Sequence, residues 1–185
     1  LGVDLKILNV DVLSNKLVTD NPVNRCYYCK QGVFGTILEA AKNDGMTVIL
    51  DGTNASDDAG DRPGMKALQE MKVLSPLRMC GYVKSEIRKQ SKEAGLFVYN
   101  KPSYACLATR IPTGTEIDEE KIKQVETAET FLFDLGFSDF RVRWMDNKAK
   151  IQMPESQLQA LMEKREIVLE ELSKIFDEVL LDLRT

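Results

Sequence analysis

Hydrophobic positions in the first half of the chain follow two alternating patterns. A short apolar run at residues 5–10 is typical of a buried strand in a parallel sheet, and residues 47–50 form a second such run. Residues 24–43 instead place apolar side chains three and four positions apart, which predicts a helix. Residues 84–94 predict an exposed, charged helix, and residues 96–100 return the chain to the sheet. This alternation of strand and helix predicts a doubly wound α/β layer.

From Thr115 onward the pattern is that of a small α+β domain. Asp118 can cap a helix that carries an apolar stripe. Residues 140–153 alternate with a period of two on both sides of a turn at residues 146–147, which predicts a hairpin. A second amphipathic helix over residues 158–172 and a last strand follow. The predicted order is therefore helix, strand, strand, helix, strand.

Composition narrows the class of protein. The 185 residues are 43% hydrophobic and 29% charged, with a net charge of −4, as expected of a globular protein. No apolar run approaches the length of a membrane span, and the mild acidity argues against broad nucleic-acid binding, so we expect neither partner. The chain has no histidine. Proton transfer near neutral pH must therefore use carboxylates, lysine, tyrosine, thiols, substrate or water.

The cysteines are the first candidates for chemistry. Four of them suit a reducing compartment such as the cytoplasm better than a disulfide scaffold. Cys26 and Cys29 form a CxxC pair at the start of the predicted helix, where they would share one face. Cys106 lies in a proline-flanked loop four positions before Arg110, whose guanidinium can stabilise a thiolate. Pattern alone leaves redox dithiol, zinc and iron–sulfur uses open.

Carboxylates and arginines form two further candidate sites. Asp51 directly follows a predicted strand and begins an acidic loop, and the carboxyl end of a strand in an open α/β sheet is where ligands bind. Such a loop could hold Mg²⁺ or a nucleotide, and the alternative is a solvated acidic loop. Arg141 and Arg143 share one face of the hairpin, where a phosphate suits their fork geometry. The alternative there is an ordinary solvated strand face.

Four blocks of sequence stand out in order over nearly the whole chain: DGTNASDDAGDRPG, SPL–KSEIRK–AGL, KPSYACLATRIPTG and LGF–FRVRW. Together they resemble the ATP-dependent sacrificial sulfur transferases of the LarE type, in the PP-loop superfamily. The resemblance implies an α/β fold with a partial PP-loop parallel sheet, like that of the adenine nucleotide α-hydrolases, over residues 1–114. A small α+β domain would follow over residues 115–185. The glycine-rich SGGxDS loop of the family is expected before Leu1, so the nucleotide site here would be partial.

The resemblance also implies a function. Enzymes of this family adenylate a pyridinium carboxylate and convert it to a thiocarboxylate in nickel-pincer cofactor biosynthesis. The implied cofactors are ATP and Mg²⁺, and the implied substrate is a small-molecule nucleotide. We expect the protein to form a homo-oligomer.

Several residue roles are implied position by position. Arg110 would approach a phosphate or the activated carboxylate near Cys106. Arg141 and Arg143 would hold the phosphate of the substrate or the adenylate, and Glu129 corresponds to an acidic position that could bind a metal. The nucleotide side would be formed by Asp51, Gly52, Thr53, Asn54, Asp58 and Arg62.

Two sulfur chemistries occur in the family. Some members give up the sulfur of a single cysteine, whereas others hold a 4Fe–4S cluster on three cysteines. Cys26, Cys29 and Cys106 resemble the second subtype, so we expect a cluster. Cys80 lies in an apolar setting and is expected in the core, and a zinc site that includes it is the second choice. Another PP-loop enzyme (a tRNA thiolase or an amidotransferase-type synthetase) and a non-enzymatic zinc-binding module also stay open.

Overall fold

The computed structural model describes residues 2–57 and 63–184 of the chain. The chain divides into two compact units, Leu1–Lys101 and Pro102–Thr185. The domain boundary predicted between residues 114 and 115 falls inside the second unit. The Cys106 loop therefore belongs to the same unit as the hairpin arginines.

The first unit is built mainly from helices. Their bounds are α1 Lys16–Thr19, α2 Arg25–Asn43, α3 Pro63–Glu70, α4 Pro76–Met79 and α5 Lys84–Glu93. The helices predicted over residues 24–43 and 84–94 are confirmed. Each ends before a glycine with positive φ, Gly45 at 75° and Gly95 at 71°, a conformation that glycine adopts without a steric cost.

Two of the three strands predicted for the first unit are wrong. Residues 5–10 form no strand, and Leu5 and Ile7 are 83% and 78% exposed. Residues 96–100 form turns. The run at 47–50 contributes one parallel bridge, between Leu50 and Leu74. The parallel sheet predicted for this unit is therefore absent from the described residues. The prediction failed because an apolar run indicates that a segment can be buried but does not indicate which strand it pairs with.

The second unit contains the predicted α+β order. Helix α6 spans Glu119–Asp134, and the strands are β1 Arg141–Met145, β2 Lys148–Gln152 and β3 Glu178–Leu181. Strands β1 and β2 are antiparallel, and β3 pairs in parallel with β2, which gives the order β1-β2-β3. The predicted hairpin is confirmed. Asp146 and Asn147 have φ values of 49° and 57°, as a tight hairpin turn requires.

The second amphipathic helix is not continuous. It divides into α7 Leu158–Glu163 and α8 Arg165–Leu172, after a 3₁₀ turn at Glu155–Gln157. Lys164 separates the two helices, and its Nζ donates to the Leu135 carbonyl at 2.7 Å.

One hydrophobic core stabilises the second unit. It draws on α6, all three strands and both C-terminal helices, so the sheet and the helices hold each other in place. Its fully or almost fully buried members include Ala128, Leu132, Phe140, Val142, Ala149, Ile151, Met153 and Leu172. None of the helices that the structure describes has both the length and the apolar composition needed to cross a bilayer.

Asp118 caps α6 and provides a test of this unit's stability. Its Oδ1 accepts a hydrogen bond from the Lys121 backbone N–H at 2.8 Å. We expect Asp118→Ala to lower the free energy of unfolding by about 1 kcal/mol in urea denaturation. Asp118→Asn keeps an acceptor oxygen and should recover most of the loss. Equal stability of the Ala variant and the parent would contradict the capping role.

The Asp118 cap should also depend on pH. Partial burial alone would raise the pKa of Asp118, but hydrogen bonds from Lys121 lower it below the usual value. The stabilisation is therefore complete above the unfolded pKa of about 3.9 and is lost as the pH falls through the lower folded pKa. The stability difference between the parent and Asp118→Ala should shrink over that acidic range.

Candidate functional site

The candidate site of the second unit is organised around a buried carboxylate on α6. Glu129 lies on the helix face that also carries the buried Val125, Ala128 and Leu132. Its side chain is only 1% exposed. An isolated carboxylate in such a place costs several kcal/mol, so Glu129 needs partners that stabilise its charge.

Four hydrogen bonds provide those partners. Oε1 of Glu129 accepts from Nε of Arg110 at 2.7 Å and from the backbone N–H of Val142 at 2.8 Å. Oε2 accepts from Nη2 of Arg110 at 3.1 Å and from the Tyr104 hydroxyl at 2.6 Å. The arginine fork and the carboxylate form a bidentate pair, the strongest ion-pair geometry available to these groups. Both oxygens of Glu129 thus have two donors each.

This arrangement involves two residues for which the resemblance implies a role. Glu129 was expected as a metal ligand, but its oxygens already accept four hydrogen bonds, so the geometry favours a structural role. Arg110 was expected to approach a phosphate or an activated carboxylate. Its side chain is 1% exposed and is paired with Glu129, and its expected contact with a ligand stays a prediction.

Cys106 occupies the exposed side of the same loop. It is the N-cap of the 3₁₀ helix Leu107–Arg110. Its carbonyl accepts hydrogen bonds from the backbone N–H of Thr109 at 2.9 Å and from the Thr109 hydroxyl at 2.7 Å. The Thr109 hydroxyl in turn accepts from Nη1 of Arg110 at 2.9 Å. The backbone of Cys106 is therefore fixed while the residue stays accessible.

The two hairpin arginines hold this loop on either side of Cys106. Nη2 of Arg141 donates to the Ser103 carbonyl at 2.8 Å, and Nη1 of Arg143 donates to the Thr109 carbonyl at 2.6 Å. Arg143 also donates through Nε to the side chain of Gln152 at 2.8 Å. The structure thus places both arginines at the cysteine loop, and their predicted contact with phosphate stays a prediction.

Positive charge exceeds negative charge at this loop. Among the described residues, no carboxylate lies within hydrogen-bond distance of Arg141 or Arg143, and Asp139 approaches Arg141 only to 3.9 Å. Burial, followed by the nearby guanidiniums of Arg110 and Arg141, lowers the pKa of Arg143. Since arginine stays protonated, the surplus charge makes this a favourable place for an anion.

Tyr104 acts as a donor in this network. Burial, together with its hydrogen bond to Glu129, raises the pKa of Tyr104 to about 12. The hydroxyl therefore stays protonated at neutral pH and donates a hydrogen bond to the Glu129 carboxylate.

The expected nucleotide side lies in the first unit, where Asp51 follows the Leu50–Leu74 bridge. Oδ1 of Asp51 accepts from the Ser75 hydroxyl at 2.6 Å, and Oδ2 accepts from the Thr53 hydroxyl at 2.5 Å. Burial would raise the pKa of Asp51, but these hydrogen bonds and the charge of Lys30 lower it. Asp51 is therefore ionised and fixed at neutral pH.

The rest of that loop is held by its own polar groups. Gly52 is exposed, and the side chain of Asn54 accepts from the backbone N–H of Ser56 at 3.0 Å. Arg78 donates to the Asn54 carbonyl at 3.4 Å. Asp58 and Arg62, also expected at the nucleotide side, lie outside the described residues.

The CxxC pair lies at the start of α2, as predicted. Cys26 is exposed and Cys29 is partly buried, three positions along the same helix. Cys80 was expected in the core, but it is exposed at the end of the four-residue helix α4, so that prediction is wrong. Within either unit, the described residues bring no three cysteine, aspartate or glutamate side chains together as a metal site.

Sequence reasoning missed Tyr104, Thr109 and Ser75. All three are hydroxyl donors that complete a carboxylate or carbonyl network. A signal for the first of them existed, because Glu129 falls on the apolar stripe of α6 and a buried acid requires donors from elsewhere.

The chain is similar to three known proteins over most of its length. An uncharacterized protein of Synechocystis sp. is 36% identical over 163 residues, which cover 88% of the chain and 61% of the relative. The pyridinium-3,5-bisthiocarboxylic acid mononucleotide synthase of Lactiplantibacillus plantarum is 32% identical over 158 residues, with 85% and 57% covered. An uncharacterized protein of Methanocaldococcus jannaschii is 32% identical over 161 residues, with 87% and 63% covered.

The chain covers only part of the length of these relatives. The matched part of the chain spans 57% to 63% of the length of these relatives. No profile of a known protein family matches the chain.

The buried ion pair predicts a large effect on stability. Arg110→Met keeps an apolar stem but leaves Glu129 buried without its cation. We expect the free energy of unfolding to fall by about 3–5 kcal/mol in urea denaturation. Arg165→Met, the same change at an exposed position of α8, should stay within about 0.5 kcal/mol of the parent. Equal effects of the two variants on the free energy of unfolding would contradict the stabilising role of the buried Arg110–Glu129 pair.

Proposed function

We propose that this chain is part of an ATP-dependent sulfur transferase of the PP-loop superfamily, acting in nickel-pincer cofactor biosynthesis. A pyridinium carboxylate attacks the α-phosphorus of ATP and expels pyrophosphate, which forms an acyl adenylate. A sulfide then attacks the acyl carbon and expels AMP, which leaves a thiocarboxylate. The similarity to the mononucleotide synthase of Lactiplantibacillus plantarum supports this reaction class.

One observation carries the proposal for this chain. An exposed cysteine, Cys106, lies in a loop that Arg141 and Arg143 hold by its carbonyls, with surplus positive charge at the same place. An exposed cysteine in a loop held by two guanidiniums suits sulfur chemistry on an anionic substrate, because the cations favour a phosphate. In the proposed reaction the two arginines hold the phosphate of the nucleotide substrate or of the adenylate.

The nucleotide is assigned to the first unit. Asp51, Gly52, Thr53 and Asn54 follow the Leu50–Leu74 bridge, and their backbone and side chains would form one side of the ATP site together with Mg²⁺. Asp51 is fixed by Ser75 and Thr53 and keeps its charge at neutral pH.

The sulfur source is assigned to three cysteines. Cys26, Cys29 and Cys106 supply three soft sulfur donors, of which the first and last are exposed, and this donor chemistry fits a 4Fe–4S cluster. If these three thiolates held such a cluster, it would supply the sulfide for the second step. The CxxC pair favours this assignment, because the sacrificial route gives it no task.

The sacrificial route is the second candidate. In that route the sulfur of Cys106 attacks the acyl carbon of the adenylate and expels AMP, which forms a thioester. A base then removes the Cα proton of Cys106 and the Cβ–S bond breaks, so that the thiocarboxylate leaves and dehydroalanine stays in the chain. Cys106 and the hairpin arginines that hold its loop lie within one unit, which favours this possibility, because the route requires neither Cys26 nor Cys29.

The cluster predicts which cysteines are needed for colour. Protein reconstituted without oxygen with iron and sulfide should be brown, and analysis should find both elements. Changing Cys26, Cys29 or Cys106 to Ala should abolish the visible absorbance, whereas Cys80→Ala should retain it. A parent protein that stays colourless, or a loss of colour in Cys80→Ala alone, would exclude the proposed ligand set.

The arginine pair predicts a salt-dependent loss of anion binding. Arg141→Gln or Arg143→Gln should weaken phosphate binding by about 1.5–3 kcal/mol in titration calorimetry, because each removes a charge-assisted hydrogen bond. High salt should reduce the difference. Arg165→Gln is the matched control and should bind like the parent. If all three variants bind phosphate equally well, the pair has no such role.

A further inference from the structure

We propose that Glu129 is a positioning residue for the reaction, one that fixes the Cys106 loop against the strand carrying the phosphate-binding arginines. This inference rests on the proposed function, because it assigns Glu129 a task in arranging that site. It differs from the metal-binding role that sequence resemblance implies. The assignment follows from contacts that one carboxylate makes with three residues, one in strand β1 and two in the Cys106 loop.

The first contact joins α6 to the strand. β1 lies at one edge of the sheet, and the Val142 N–H donates to Oε1 of Glu129 at 2.8 Å. Val142 lies between Arg141 and Arg143 in sequence. Glu129 therefore fixes the edge strand at the point from which both guanidiniums extend.

The other two contacts join α6 to the loop. Tyr104 precedes Cys106 by two positions and Arg110 follows it by four, and both donate to Glu129. The loop is thus fastened on both sides of the cysteine. Phe133 supports the tyrosine from the same helix, with the ring centroids 5.8 Å apart.

The two arginines in turn bind the loop through its backbone carbonyls. Arg141 donates to the Ser103 carbonyl and Arg143 to the Thr109 carbonyl, both in the loop that Glu129 holds. If the loop left its place, each guanidinium would lose a partner that fixes its direction. Glu129 thereby sets the direction of two arginines that it does not itself contact.

The lost charge of Glu129 and its lost positioning role have opposite expected effects on anion binding by Glu129→Gln. The variant removes a negative charge beside Arg110 and leaves Arg141 and Arg143 intact. By charge alone, the site becomes more positive and should bind an anion more tightly. If Glu129 positions the loop and strand, the arginines lose their common geometry and binding should become weaker.

The test is a calorimetric titration of inorganic phosphate into parent and variant proteins shown by circular dichroism to be folded. We expect Glu129→Gln to weaken phosphate binding about tenfold or more. Glu126→Gln makes the same change on an exposed part of α6 and should leave binding unchanged. Unchanged or tighter binding by folded Glu129→Gln would overturn the proposal, and so would a parent that binds no phosphate.

A second variant covers the case in which Glu129→Gln does not fold. Tyr104→Phe removes one donor to Glu129, changes no charge and keeps the ring, so its stability cost is small. We expect roughly threefold weaker phosphate binding, in the same direction as the glutamine variant. Binding equal to that of the parent would contradict the positioning role.

The positioning role and the proposed function can fail separately. If the sulfur assignment alone is wrong, the cysteine variants lose no iron while the phosphate titrations still follow the expected order. If the positioning role alone is wrong, colour depends on the three cysteines as predicted while folded Glu129→Gln binds phosphate as well as the parent.

Discussion

A carboxylate and a guanidinium are buried together in the second unit, and the loop that carries Cys106 depends on that pair. Glu129 and Arg110 are each 1% exposed, so neither charge has water to stabilise it. Separating them would leave two unpaired charges in an apolar interior, which costs far more than a surface ion pair contributes. The 3₁₀ helix that ends at Arg110 therefore stays against α6, and Cys106 at its start is held in a constant place.

The same constraint explains how an accessible thiol can be well positioned. Exposed loops are usually the most mobile parts of a fold, but here both flanks of Cys106 are fastened to buried groups. The hairpin contributes two further donors, from Arg141 and Arg143, to the carbonyls of that loop. The backbone of Cys106 is thus fixed while its side chain stays exposed.

Local pattern predicted some of these features well. The helices at 24–43 and 84–94, the Asp118 cap and the hairpin follow from periodicity and turn chemistry, which are properties of neighbouring residues. The prediction of a strand at residues 5–10 is wrong, because the apolar run there carries no information about a partner strand. Glu129 shows the same limit: its stripe on α6 predicts burial, but its donors Tyr104 and Val142 are distant in sequence and only the fold identifies them.

We propose that sulfur passes through the protein without consuming it, and the intact mass of the protein after turnover tests this proposal. The protein would be supplied with ATP, the pyridinium carboxylate and sulfide without oxygen. The account predicts more than one thiocarboxylate per protein chain and an unchanged protein mass after the iron is removed. A single product per chain, with a protein mass lower by that of hydrogen sulfide and the loss located at Cys106, would contradict it.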